Sequence, residues 1–165
     1  MSKIEVKNKK IIDERFVRRA IRDWLFRNGW GFQYKEKETH EQGVDIQVRD
    51  NITPYHSRYF FIETKGESKS KSARQVSEVA FVYSLGQIVT RMKVVDARHA
   101  YNYGLGLPEA SANIAIRRIP WQFVRKVCLY VFSVNKSGKV KLYSWQDLRK
   151  IQKVKNEKGE IRTKK

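Results

Sequence analysis

The sequence predicts an α/β domain, a mixed sheet covered by helices, on three observations. Two long segments, Asp13 to about Asn28 and Ala73 to about Lys93, carry apolar residues at helical spacing. Short apolar runs that suit strands lie between and after them. Their order, strands followed by helix, strand, helix and strand, is that of a mixed sheet with helices on its faces. At 165 residues one domain is expected, residues 1–150, burying roughly two-thirds of its unfolded surface. A basic, mobile tail is expected over residues 151–165.

In the first helix Val17, Ala20, Ile21, Trp24 and Leu25 form the apolar stripe, with Arg15, Arg18, Arg19 and Arg22 on the opposite, basic one. Asp13 is placed to cap the start, Ile12 to staple onto Val17, and Asn28-Gly29 to stop the helix. A first strand is expected over Trp30 to Lys35, then a polar turn over Glu36 to Gln42 and the strand Gly43 to Val48. A loop over Asp50 to His56, holding Pro54, leads to the strand Tyr59 to Lys65. Three consecutive strands joined by short turns suggest an antiparallel meander.

After the polar loop Gly66 to Ser72, the second helix carries Val76, Val79, Ala80, Tyr83, Leu85, Ile88, Val89 and Met92, with an interruption expected near Gly86. Ala100 to Leu107 reads as a strand ended by Pro108, and a helical stretch follows within Glu109 to Lys126. Cys128 to Val134 is a strongly apolar strand, which Asn135-Lys136-Ser137-Gly138 turns into a hairpin with Val140 to Ser144.

Lys and Arg number 35 against 17 acids, a formal charge of +18 and a pI near 10.1. The natural counterweight is a polyanion, nucleic acid first. Hydrophobic residues at 41%, with 8 Phe, 8 Tyr and 4 Trp, exclude an intrinsically disordered chain. No apolar stretch approaches the roughly 20 residues of a membrane span and no signal-peptide pattern is present, so no membrane partner and a cytoplasmic location are expected. The one cysteine, Cys128, sits in an apolar run and is expected to be a buried core thiol in a reducing compartment.

The charged residues that matter most interrupt apolar strands. Tyr59-Phe60-Phe61-Ile62 runs into Glu63-Thr64-Lys65, and side chains two apart on a strand share a face. A carboxylate and an ammonium on a buried strand need a partner or a task. Eighteen positions upstream of Glu63, Asp45 is the lone carboxylate of its own apolar run. Hydrolysing a phosphodiester requires a metal that polarises the phosphoryl oxygen and lowers the pKa of a water, and Mg²⁺ prefers a few carboxylates plus waters. Asp45 and Glu63 suit that ligand set, with the backbone carbonyl of Thr64 as a further oxygen. Lys65 beside them could orient the attacking water or stabilise charge on phosphorus.

Gly43-Val44-Asp45-Ile46 followed by Phe61-Ile62-Glu63-Thr64-Lys65 resembles the PD-(D/E)xK motif of the restriction-endonuclease-like nuclease superfamily. The order of elements over residues 11 to 134 is similar to that family's αβββαβ core. Spacing and leading helix look most like archaeal-type Holliday junction resolvases and Mrr-like restriction enzymes. The resemblance implies a Mg²⁺-dependent DNA endonuclease, Mn²⁺ substituting, with Asp45 and Glu63 as metal ligands and Lys65 as the catalytic lysine. Its substrate would be branched or duplex DNA, and because such enzymes often cut both strands as dimers, a homodimer is compatible with it. The proline of the motif is Val44 here, at a position that holds no metal.

Many such nucleases place a further acid on the first helix, and Glu14 fits by position, three residues before Val17 at the edge of the packing face. A dipole-complementing role in the first turn is the alternative. Gln87 resembles a glutamine that several of these families project toward the site. Lys69, Lys71 and Arg74 follow the Glu63 strand and suit backbone phosphate contacts, and Arg18, Arg19, Arg22, Arg117, Arg118 and Arg125 are further candidates. Gly104-x-Gly106 lacks a third glycine and makes no dinucleotide loop; His40, His56 and His99 lack metal-ligand spacing. Two rival readings are a non-catalytic nucleic-acid-binding module of the same fold and a nuclease acting on RNA.

Overall fold

The computed structural model describes residues 11–31, 43–53, 56–67, 73–93 and 98–153. The elements are α1 (Glu14–Arg27), β1 (Ile46–Thr53), β2 (His56–Thr64), α2 (Ala73–Thr90), β3 (His99–Pro108), α3 (Glu109–Arg118), α4 (Trp121–Lys126), β4 (Leu129–Val134), β5 (Val140–Tyr143) and a last helix, α5, over residues 145–153. One five-stranded sheet runs in the order β1-β2-β3-β4-β5. The two outer pairs are antiparallel, while β2, β3 and β4 are mutually parallel. Parallel neighbours need crossover connections, here α2 between β2 and β3 and α3 with α4 between β3 and β4.

The sheet separates two cores. On one face α1 lays Val17, Ile21 and Leu25 against Ile46, Val48, Phe60, Ile62, Phe132 and Val134. On the other, Phe61, Tyr103, Leu105, Leu107 and Val131 are covered by Phe81 and Ile88 of α2, Ala112, Ala115 and Ile116 of α3, Val124 of α4 and Leu148 of α5. Strand β2 therefore carries apolar residues on both faces because both are covered. Gly106 faces α1: a Cβ there would stand 2.5 Å from Ile21 Cδ1 and 2.9 Å from Thr64 Cγ2. The Gly104-x-Gly106 pattern is thus a smooth strip that lets α1 approach the sheet.

Asp13 caps α1 by accepting from Phe16 N at 2.7 Å, and Gly29, at φ 79°, follows its end. Ser144 N and Oγ both donate to Asp147 Oδ2, a capping pair that starts α5.

Several sequence expectations are corrected. Trp30 and Gly31 lie outside any strand, and the rest of the expected first strand lies outside the described residues, among which β1 and β2 precede α2. The loop expected over Asp50 to His56 is largely strand, since β1 runs to Thr53 and β2 starts at His56. Helix α2 passes through Gly86 unbroken, because one glycine costs a helix only about 1 kcal/mol and the flanking residues pack. The stretch after Pro108 is two helices, broken at Ile119, which precedes Pro120 and is extended. Cys128 is exposed, not a core thiol. It holds φ 51° at the turn that leaves α4, a geometry that points it away from the sheet before β4 begins. Residues 151–153, expected in the tail, belong to helix α5, and residues 154–165 of the expected tail lie outside the described residues. Among the described residues no helix is long and apolar enough to cross a membrane.

Candidate active site

The site lies where β2 leaves the sheet beside the N-terminus of α1. Gly66 makes that junction possible. A Cβ on it would stand 2.3 Å from Glu14 N and 2.6 Å from Asp13 C, so only hydrogen fits. Glu67 N donates to Ile12 O at 2.6 Å and Ile12 N to Glu67 Oε2 at 3.2 Å, tying the chain before α1 to the chain after β2. Consequently the Glu14 carboxylate comes within 3.6 Å of Lys65 Nζ. Glu14 also accepts from Arg18 Nη2 at 3.1 Å, one helical turn on, and the same guanidinium lies 3.9 Å from Asp45 Oδ1.

Asp45 stands in a bend directly before β1, one residue short of the strand expected for it. Ile46 pairs with Ile62, so continuing the antiparallel register by one residue sets Asp45 across from Glu63. Its Oδ2 accepts from Thr64 N at 2.6 Å and Thr64 Oγ1 at 2.9 Å. The carboxylate is thereby clamped to β2, with Oδ1 turned toward Arg18.

Glu63 is 1% exposed. Burial raises its pKa above the ordinary carboxylate value, the neighbouring Asp45 charge adds to the rise, and Arg91 and Lys65 oppose it. Its Oε1 accepts from the Arg91 guanidinium. Arg91 follows directly on α2, and sequence reasoning missed it; its one signal was position, four residues after Gln87 on the helix already suspected of facing the site. Three carboxylates, Glu14, Asp45 and Glu63, thus meet three cations, Arg18, Lys65 and Arg91.

The structure brings Glu14, Asp45, Glu63, Thr64 and Lys65 together. Gln87 Oε1 is buried without a hydrogen-bond partner among the described residues. Arg18, expected on the outer basic stripe, instead turns into the site and pairs with acids. Arg22 pairs with Asp23 at 3.4 Å and lines a separate groove with Phe26, Arg27 and Trp30. Arg74 lies in the first turn of α2, while Lys69, Lys71 and His40 lie outside the described residues. Lys65 also lines an open groove with Gln75, Val76, Val79, Ala80 and Tyr83 of α2.

No family model matches the sequence, and no curated protein does. Similar solved structures include an XisH family protein from Nostoc punctiforme PCC 73102, at 10% identity and a TM-score of 0.40, over 76% of this chain and 96% of that one. Another is an FdxN element excision controlling factor protein from Anabaena variabilis, at 10% identity and a TM-score of 0.37, over 77% and 96%. At that level of likeness neither carries an argument about activity.

Proposed function

We propose that the chain is a divalent-cation-dependent phosphodiesterase that cleaves DNA. The observation that carries this reading is the convergence of Asp45, just before β1, Glu63 of β2 and Lys65, just after it, on one spot at the end of β2. Among the described residues no three or more His, Cys, Asp or Glu side chains form a ready cation cage. Mg²⁺ characteristically takes one or two carboxylates and fills its remaining positions with water and substrate phosphate. A buried Glu63 whose pKa rises beside Asp45 is a place where a cation is favoured, so the residues fit the ion. Asp45 Oδ1 and Glu63 would hold it. Bound there, Mg²⁺ would polarise a phosphoryl oxygen and acidify a water. Lys65, held by Glu14, places its ammonium where charge develops on phosphorus, and Thr64 keeps Asp45 from swinging away.

A plasmid-nicking assay tests the proposal. Cleavage is expected with Mg²⁺ or Mn²⁺, none with EDTA, and none from Asp45→Ala or Glu63→Ala while both still bind DNA; cleavage retained by both variants would remove these residues from the chemistry. A panel of linear, nicked, branched and single-stranded DNAs, with RNA competitors, then defines the substrate. The Glu63–Arg91 pair favours one rival, a non-catalytic nucleic-acid-binding module, because a guanidinium already balances the carboxylate. Under that reading neither Mg²⁺ nor Mn²⁺ raises the melting temperature and no nicking occurs.

A further inference from the structure

Residues 117–153 contain ten Lys or Arg and one acid, Asp147, a net +9 that is half of the formal charge of +18. Much of this charge gathers around α4 and α5. At their junction Trp121 and Trp145 face each other, ring centroids 6.1 Å apart and 31° from parallel. Arg125 lies over the Trp145 ring at 5.0 Å, and Arg149 lies over the Trp121 ring at 5.1 Å. The two helices thus exchange guanidiniums across a pair of indoles.

The scaffold under this stack is fixed. Gln152 of α5 accepts from Trp121 N at 3.2 Å and donates to the Ile116 and Ile119 carbonyls at 3.0 and 2.7 Å, joining α5, α4 and the end of α3. Leu148 and Val124 are buried beneath it. Both Arg125 and Arg149 are exposed, and neither forms an ion pair with a carboxylate among the described residues. Stacking on an indole settles the plane of a guanidinium and leaves its donor edges outward, the arrangement that takes phosphate oxygens two at a time. Lys126 and Lys150 are exposed beside them, and Lys141 reaches over Tyr143 on β5 at 4.7 Å.

We propose that the Arg125–Trp145–Trp121–Arg149 stack, with Lys126, Lys141 and Lys150, is a second surface for the phosphate backbone of nucleic acid. It lies across the sheet from the candidate active site. Three strand spacings separate β2 from β5, roughly 14 Å at about 4.8 Å each. The surface accounts for cations that the Asp45–Glu63–Lys65 cluster does not engage, and it stands whether or not the chain cleaves DNA. An acidic protein would be met as well by scattered lysines. Stacked arginines interleaved with indoles, without a carboxylate partner among the described residues, favour a polyphosphate strand.

The test is titration of the full chain with fluorescently labelled duplex DNA over a range of salt, followed by anisotropy. Arg125→Gln with Arg149→Gln is expected to lower the log-log salt slope by about 1.8, two contacts at about 0.9 each on duplex DNA. Arg125→Lys with Arg149→Lys keeps the charge and should retain most of the slope. Unchanged slope and affinity in a glutamine variant that melts like the parent overturn the proposal. If that variant melts early, indole emission of the parent decides. Saturable quenching by DNA that Trp121→Phe with Trp145→Phe removes supports the surface, and absence of that quenching overturns it. Parallel titrations with single-stranded DNA and RNA identify the preferred strand. Heparin bound as tightly as any of them, with the same slope loss in the glutamine variant, overturns the assignment to nucleic acid.

Discussion

The Glu63 Oε1 atom, at the buried end of β2, accepts a hydrogen bond from the guanidinium of Arg91, 28 residues further along the chain and just beyond α2. Opposite charges in so dry a place are useful chiefly to each other. Removing one leaves the other uncompensated.

Arg91→Ala should therefore destabilise the fold by about 3 kcal/mol, the lower end for a broken buried pair because Arg91 itself is 32% exposed and water can enter. Denaturant melts in EDTA measure the loss. If Glu63 takes a divalent cation, Mg²⁺ restores part of that stability, and adding Glu63→Gln to the variant cancels the rescue.

The raised pKa of Glu63 sets a direction for the acid limb of stability. The folded state binds the proton more tightly than the unfolded chain, so stability from this group is greatest at low pH and falls as pH climbs from 4.5 through the raised folded value. Glu63→Gln keeps an acceptor for Arg91 and removes the ionisation. Its advantage over the parent in EDTA should grow across that window and level off above it. A gap that narrows with rising pH would contradict the assignment.

Two glycines separate structural from functional loss. Gly66→Ala drives a Cβ into the backbone of Asp13 and Glu14, so the α1 terminus must move and Glu14 must part from Lys65. Cleavage should fall by tenfold or more, on the order expected when positioning slips by about 1 Å. In Gly106→Ala the Cβ meets the side-chain ends of Ile21 and Thr64. That overpacking should cost about 1–3 kcal/mol and disturb cleavage less than Gly66→Ala. Melting curves and rates measured together separate the two effects.

Lys65→Ala offers the opposite contrast. Its pair with Glu14 is 24% and 38% exposed at the two side chains, so less than about 1 kcal/mol of stability should go with it. If the ammonium meets charge developing on phosphorus, cleavage should drop by about 10²–10³. Glu14→Gln, which leaves the ammonium itself in place, should lose less.

Much of the fold was legible. The helical stripe of Val17, Ile21 and Leu25, the doubly apolar β2 and the hairpin around Gly138 each obey a local period or turn rule, and the mixed sheet follows from their order. The misses share a cause. Gly86 reads as a breaker only when packing is ignored, and Cys128 reads as core only because its apolar run begins before the strand does. Asp45, Glu63 and Lys65 could be singled out because charge amid apolar neighbours is costly and therefore conspicuous, whereas Glu14 came from the resemblance and from its place at the edge of the packing face of α1.

Sequence alone was enough to assign the charge of +18, the alternation of helix and strand, and two acids and a lysine on neighbouring apolar runs. All of these are local or additive properties. The tertiary structure decided that Arg91 balances Glu63, that Arg18 leaves the basic stripe for Asp45, that Gly66 admits the start of α1, and that the surplus arginines stack on Trp121 and Trp145. Those contacts join residues far apart in the chain. They depend on strand register and on which edge of the sheet each crossover reaches, and no local spacing encodes either.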